Sequence, residues 1–277
     1  MTEPVPTTNF SASWTRVDQT TDPSFYANLL QATRADDVER ARKDPAAVFG
    51  ALDLRPGLRL LDVGCGTGDY LRVMAPLVAP GEAAGIDLSS ELVKLAELRS
   101  LPEHPNVSFQ VGDVYDLPFA DASFERVTAT QVMVHLSQPW EAISELRRVL
   151  APGGRLAIAE WDWDSTCLAV SDRNLGRRFT HLLCDQMNNG LITRELPSAL
   201  VGLGFVSVDV LPQVRIQRGL GAAHTWLIRP AIEEFVRTGT LTEAEGTALV
   251  EDLEQRDATG RYFLARTYYV TVAAAGQ

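Results

Sequence analysis

Three glycines and two acids hold the first chemistry this sequence offers. Gly64, Gly66 and Gly68 stand at alternate positions in the run Leu60-Leu61-Asp62-Val63-Gly64-Cys65-Gly66-Thr67-Gly68-Asp69-Tyr70-Leu71. Residues without a Cβ let backbone turn tightly and lie close against a ligand. Asp62 and Asp69 flank the loop, and two carboxylates suit a cationic ligand better than a diphosphate. A dinucleotide turn spaces its glycines G-x-G-x-x-G. Here the third glycine comes one place early and Asp69 takes its place. Asp87 follows Gly68 by 19 residues. An acid at that distance, closing the next strand, either accepts from both hydroxyls of a ribose, which the spacing favours, or caps the helix that follows.

These groups need a strand, a turn and a helix to hold them. Leu58, Leu60, Leu61 and Val63 form the apolar run of a buried parallel strand. Leu71, Met74, Ala75 and Val78 then repeat as one helix face. The unit offers backbone N–H groups and a positive helix end to a ligand. Further strands are predicted over 81–87, 107–111, 124–130 and 155–161. Ser89 or Ser90 caps the helix after the second strand, and Ser137 and Pro139 start the one after the fourth.

Upstream, residues 1–22 read as a loose arm. Asp22 caps a helix running from Pro23 or Ser24 to about Arg42, and a short helix follows over 45–52. Trp14 and Tyr26 either reach into the cleft or pack the arm against the core. Downstream, helices are expected over 171–189 and 196–203, a strand over 205–211, and two helices within 220–257. Thr242-Glu243-Ala244-Glu245 is a capping box for the second of that pair. The aromatic and β-branched run 260–272 is the last strand.

Ligands of open α/β sheets bind at the carboxyl edge of the strands. His135 falls there, as a candidate general base or as a structural imidazole. Trp161-Asp162-Trp163-Asp164-Ser165 falls there too. Two rings and two carboxylates either clamp a planar or cationic substrate or serve as packing and caps. Asp162 and Asp164 lack a third ligand, so no metal site is expected.

The run LLDVGCGTGDYL resembles motif I of the class I S-adenosylmethionine-dependent methyltransferases. The segments VGDVYDLPFADASFERV and RRVLAPGGRLAIAE resemble their adenine-binding and final shared regions. The likeness covers about residues 56–164 and is nearest the menaquinone/ubiquinone-biosynthesis type, which acts on small molecules. It implies an α/β fold with a Rossmann-like seven-stranded, mostly parallel sheet and an antiparallel edge hairpin. Helices cover both faces, with an N-terminal helical lid over 1–55 and helical insertions at about 165–190 and 218–258 of a domain spanning 56–277. It implies S-adenosyl-L-methionine as cofactor and S-adenosyl-L-homocysteine as product. Asp62 then serves the methionine end and the glycines allow close approach. Asp87 with Leu88 serves the ribose, Asp113 and Val114 the adenine, and Gln131 touches the cofactor. His135, Tyr26 and Asp164 are the catalytic candidates.

Acidic residues outnumber basic ones, 36 to 25, for a formal charge of −11. That balance argues against a nucleic-acid or anionic-membrane surface. Three scattered cysteines give no disulfide framework. Met1 to Phe10 reads as no signal peptide and no run is long enough to span a bilayer, so a cytoplasmic protein, monomer or homodimer, is expected. The expected activity is methyl transfer to O, C or N of a small molecule, as in secondary metabolism. The rivals are a cyclase or pericyclase that keeps the cofactor without transferring methyl, a non-catalytic binding partner, and an NAD-dependent dehydrogenase.

Overall fold

The computed structural model describes residues 13–20, 22–45, 49–100 and 104–276. Most of the expected loose arm and part of the expected 45–52 helix lie outside these residues; of the latter, the 3-10 turn Gly50–Leu52 is seen. Helix α1, Pro23–Lys43, begins where Asp22 accepts a hydrogen bond from the Ser24 N–H. Strand β1 is Leu60–Val63, helix α2 Asp69–Val78, strand β2 Ala83–Asp87 and helix α3 Ser90–Ser100. Strands β3 (Val107–Val111) and β4 (Phe124–Thr130) precede helix α4, Pro139–Val149.

Strand β5 runs over Leu150–Leu168, well past the expected 155–161. Helices α5 (Arg173–Asp185) and α6 (Ile192–Gly202) lead to β6, Phe205–Gln217. A π-helical turn, His224–Ile228, runs into α7 (Arg229–Arg237), followed by α8 (Glu243–Ala258) with both halves of the Thr242–Glu245 capping box formed. Strand β7 is Leu264–Ala275, shifted a few residues beyond the expected run.

The seven strands lie in the order β3-β2-β1-β4-β5-β7-β6. Pairings among β1 to β5 are parallel, whereas β7 runs antiparallel to both β5 and β6. This is the mostly parallel sheet with an antiparallel edge. Strands β5 and β6 outgrow their expected lengths because both pair with β7: Trp161 faces Tyr268, and Gln213 faces the same tyrosine from the other side. A register shift between Asp162 and Cys167 lets β5 continue through the tryptophan-aspartate run.

Apolar side chains cover both faces. Leu61, Val127 and Ile158 pack with Ile143, Leu146 and Leu200 on one side. Leu60, Ala83 and Ala157 pack with Leu71, Met74 and Val78 on the other. Burial of each larger side chain stabilises by about 1.5–3 kcal/mol. A third cluster, with Phe179, Ile232, Phe235 and Leu253, joins α5, α7 and α8 to the start of β7. That separate core makes the insertions a firm wall over the carboxyl edge. No helix among the described residues is long and apolar enough to cross a membrane.

Candidate active site

The glycine loop sits between the end of β1 and the start of α2. Gly64, Gly66 and Gly68 all have positive φ, +67°, +57° and +73°. At Gly66 a side chain would meet two obstacles: the left-handed backbone disfavours any Cβ, and that Cβ would lie 2.8 Å from Leu30 of α1. The Gly66 N–H donates to Asp87 Oδ2 at 2.8 Å, while Asp87 Oδ1 accepts from the Ser89 N–H at 3.0 Å. One carboxylate therefore fixes the loop and the start of the next helix together. Asp69 is taken by Arg72 and by Thr67 Oγ1, the latter at 2.6 Å.

A cavity of about 440 Å³ opens over this loop. Gly64, Gly66, Asp87, Leu88, Asp113, Val114, Gln131 and His135 all border it. Asp113 Oδ1 accepts from the Tyr115 N–H at 3.0 Å, which holds its turn. Asp62 lies buried under the loop, one residue before the wall begins at Val63. Burial pushes Asp62 up to about 7, against the pull of Arg34 and with the push of Asp87. Burial also raises Asp87, against its two backbone hydrogen bonds and Arg34. Two buried acids set against one arginine leave the region short of positive charge, which a cationic ligand supplies.

Arg34 of α1 is a residue that sequence reasoning missed. It is 5% exposed, borders the cavity, and lies 5.2 Å over the Tyr70 ring. Its Nε has no hydrogen-bond partner among the described residues. Its signal in the sequence is a charge breaking the apolar spacing of Tyr26, Leu30 and Ala41 on one helix face. Asp18 was missed as well. It accepts from Ser89 Oγ, from the Ser90 N–H at 2.8 Å and from Ser90 Oγ at 2.7 Å. The N-terminal segment thus caps α3 alongside Ser89, whose own Oγ accepts from the Leu92 N–H. Such a cap pairs only in three dimensions, 71 residues apart.

A second cavity, about 320 Å³, lies beyond the first. Trp14, Leu30, Gln131 and His135 border both. The second is walled by indoles: Trp161, Trp163 and Trp226 join Trp14 there. The junction is held from below by Glu160, which is fully buried on β5. Its Oε1 accepts the N–H groups of Val132, Met133 and Val134, at 2.8, 2.7 and 3.4 Å. Burial outweighs these bonds and pushes Glu160 up to about 8. Gln131, at φ +57°, donates its N–H to the Ala159 carbonyl. His135 stacks on Trp14 with centroids 5.6 Å apart. Desolvation pushes its imidazole down to about 3, so the ring is neutral at ordinary pH.

The structure brings Gly64, Gly66, Asp87, Leu88, Asp113, Val114, Gln131 and His135 to one cavity, with Asp62 beneath it, whereas Gly68 sits outside the lining as the N-cap of α2, against Phe109 and Ala96. Two expected catalytic side chains lie elsewhere. Tyr26 is fully buried with Val17, Ala27, Leu30 and Leu92, and borders neither cavity. Asp164 is held 2.9 Å from Arg194, which also grips Asp162 at 2.9 and 3.0 Å. Successive side chains of a strand point to opposite faces. Trp161 and Trp163 therefore face the second cavity while Asp162 and Asp164 turn toward α6. Of the two readings of this run, the rings line the cavity while the acids pair with Arg194 rather than joining a clamp.

The residues fit an adenosyl sulfonium. The loop is a cradle that a Cβ would fill, the two acids outnumber the one arginine that acts on them, and Arg34 Nε has no hydrogen-bond partner among the described residues, leaving a donor for a carboxylate. The sequence pattern of a family described as "Methyltransferase domain" matches residues 61–158. An uncharacterized 37.1 kDa protein of transposon Tn4556 in Streptomyces fradiae is 35% identical over 257 residues, 92% of this chain and 72% of that one. The demethylmenaquinone methyltransferase of Symbiobacterium thermophilum is 38% identical over 109 residues, 38% of this chain and 43% of its own. The crystal structure of the YcgJ protein of Bacillus subtilis superposes with a TM-score of 0.59 at 19% identity, over 83% of this chain and 97% of that one. The chain thus spans most of the transposon protein but under half of the demethylmenaquinone enzyme.

Proposed function

This chain belongs to the class I S-adenosylmethionine-dependent methyltransferase family, and from that premise we propose that it methylates a small-molecule acceptor. One observation supports this reading above the rest. A cavity built on the glycine loop and Asp87 meets an indole-walled cavity at Trp14, Leu30, Gln131 and His135. Donor and acceptor chambers that share a border are what group transfer between two bound molecules requires.

S-adenosylmethionine, when bound, supplies a methyl group already activated by a positive sulfur. The chain's own residues align and enclose. Asp87 holds the ribose hydroxyls, Asp113 and the Val114 N–H hold the adenine edge, and Leu88 covers a face beside them. Asp62 and Arg34 take opposite charges of the amino-acid end. Gln131 fixes the border through its strained backbone, and the Glu160-pinned turn keeps it there. Trp14 and α1 close the top and exclude water. His135 is neutral and borders both cavities, so its imidazole is in the state that accepts a proton, although burial makes the imidazolium costly. We therefore assign it mainly to shaping the border and keep a base role as secondary.

The test is mass spectrometry of acceptor mixtures incubated with purified protein and methyl-deuterated S-adenosylmethionine. A labelled product heavier by one methyl, together with S-adenosylhomocysteine, supports the proposal. Cofactor binding with a product of unchanged mass would instead establish the cyclase reading.

A further inference from the structure

The second cavity holds a cation that no carboxylate among the described residues neutralises. Arg266 on β7 borders it, with its guanidinium 4.3 Å from the Trp161 ring centroid and 5.3 Å from that of Trp163. Among the described residues no carboxylate pairs with it. Tyr262 is the one ionisable group acting on it, and burial pushes that phenol up to about 12, so it carries no charge at neutral pH. Arg266 itself is lowered to about 10 by burial and remains protonated there.

The cavity's other charges are already spent or solvated. Arg215 is paired with Asp37 at 3.1 Å, Asp37 also holds Arg40, and Asp36 is exposed on the rim. On β5, Asp162 and Asp164 face away toward Arg194, and Glu160 is bonded to the Val132, Met133 and Val134 N–H groups. A half-buried cation that faces no carboxylate among the described residues has lost part of its hydration without a counter-charge, and strand β7 places one against two indole faces. Beside it the indole Nε1–H of Trp163 is buried with no hydrogen-bond partner among the described residues. Two donors without acceptors, on a flat aromatic wall, describe the missing occupant by complementarity.

We infer that Arg266, backed by Trp161 and Trp163, receives an anionic oxygen carried on a planar aromatic acceptor. The inference rests on the reading of this cavity as the acceptor chamber and adds its substrate class: an aromatic carboxylate or an ionised phenol. Trp161 and Trp163 meet the ring, and the guanidinium meets the charge. Where the ionised oxygen is itself the atom that takes the methyl, its proton has already gone to solvent and the neutral His135 has none to remove.

Calorimetry with matched probes, in the presence of S-adenosylhomocysteine, tests this. The carboxylate arm compares 2-naphthoate with 2-naphthamide at neutral pH. The phenolate arm compares 4-nitrophenolate, at a pH where it is ionised, with 4-nitroanisole. In at least one arm the anion binds about tenfold tighter or more, as a charge-assisted contact predicts. Arg266→Gln abolishes that preference, Arg266→Lys keeps most of it, and both leave S-adenosylhomocysteine affinity within about twofold, which also shows that they fold. Equal affinity in both arms, including no measurable binding of any probe, overturns the inference, as does a preference that survives in Arg266→Gln. Failure of S-adenosylhomocysteine to bind the unaltered protein would overturn the methyltransferase reading instead, and the probe preference would still be read without it.

Discussion

Replacing Glu160 by glutamine isolates one buried proton. Burial pushes the native carboxyl up to about 8, whereas an unfolded glutamate titrates near 4.5. Between those two values the folded protein keeps the proton and the unfolded chain has lost it. Stability conferred by the group is therefore complete below about 4.5, falls as pH rises, and is gone above about 8. The slope is about 1.36 kcal/mol per pH unit, so the whole span is worth at most about 5 kcal/mol. Glutamine keeps an oxygen to accept from Val132, Met133 and Val134, and it has nothing to titrate.

Glu160→Gln and the unaltered protein should thus be close in stability near pH 5, and the variant should gain steadily up to pH 8. The rest of the protein titrates alike in both, so the difference between the two curves reports Glu160. Urea unfolding at pH 5, 6, 7 and 8 measures it. A difference that stays constant with pH would show that Glu160 is ionised in the folded state and would refute the reasoning. Glu160→Ala is the contrast: it strands three backbone N–H groups, at about 1–3 kcal/mol each, and should destabilise at every pH.

Asp87→Ala removes the acceptor of the Gly66 N–H as well as the proposed ribose partner. S-adenosylmethionine affinity should fall about 10- to 100-fold by calorimetry, and an unchanged value would refute the assignment. Gly66→Ala forces a Cβ into a left-handed turn at a cost of about 1–2 kcal/mol and pushes Leu30 away. It should lower thermal stability and weaken cofactor binding together; a variant binding as tightly as the parent would contradict the close-approach role. Asp62 is raised to about 7, and a cationic ligand favours its charged form. Affinity for S-adenosylmethionine should rise from pH 5 to 7 with proton release on binding, which calorimetry in buffers of different ionisation enthalpy detects. A flat profile without proton release would remove Asp62 from the cofactor site.

What the chain determines locally was readable from it. The strand, glycine turn and helix over 60–78 follow from apolar runs and from positions that reject a Cβ. The Asp22 cap and the Thr242 capping box follow from contacts two or three residues long. The place of Asp87 at the end of β2, beside the glycine loop, was legible because one strand–helix–strand unit sets that distance; its bond to the Gly66 N–H was not.

The tertiary structure decided what depends on remote pairing. The extent of β5 and β7 came from their mutual hydrogen bonds, and with it the alternation that turned Trp161 inward and Asp164 outward. The cap that Asp18 places on α3, the donor that Arg34 leaves open, and the bare charge of Arg266 against two indoles join segments tens to hundreds of residues apart. Sequence fixes which side chains can ionise or stack; only packing settles which of them end up facing a partner, because both charge and ring contacts fall off within a few ångströms.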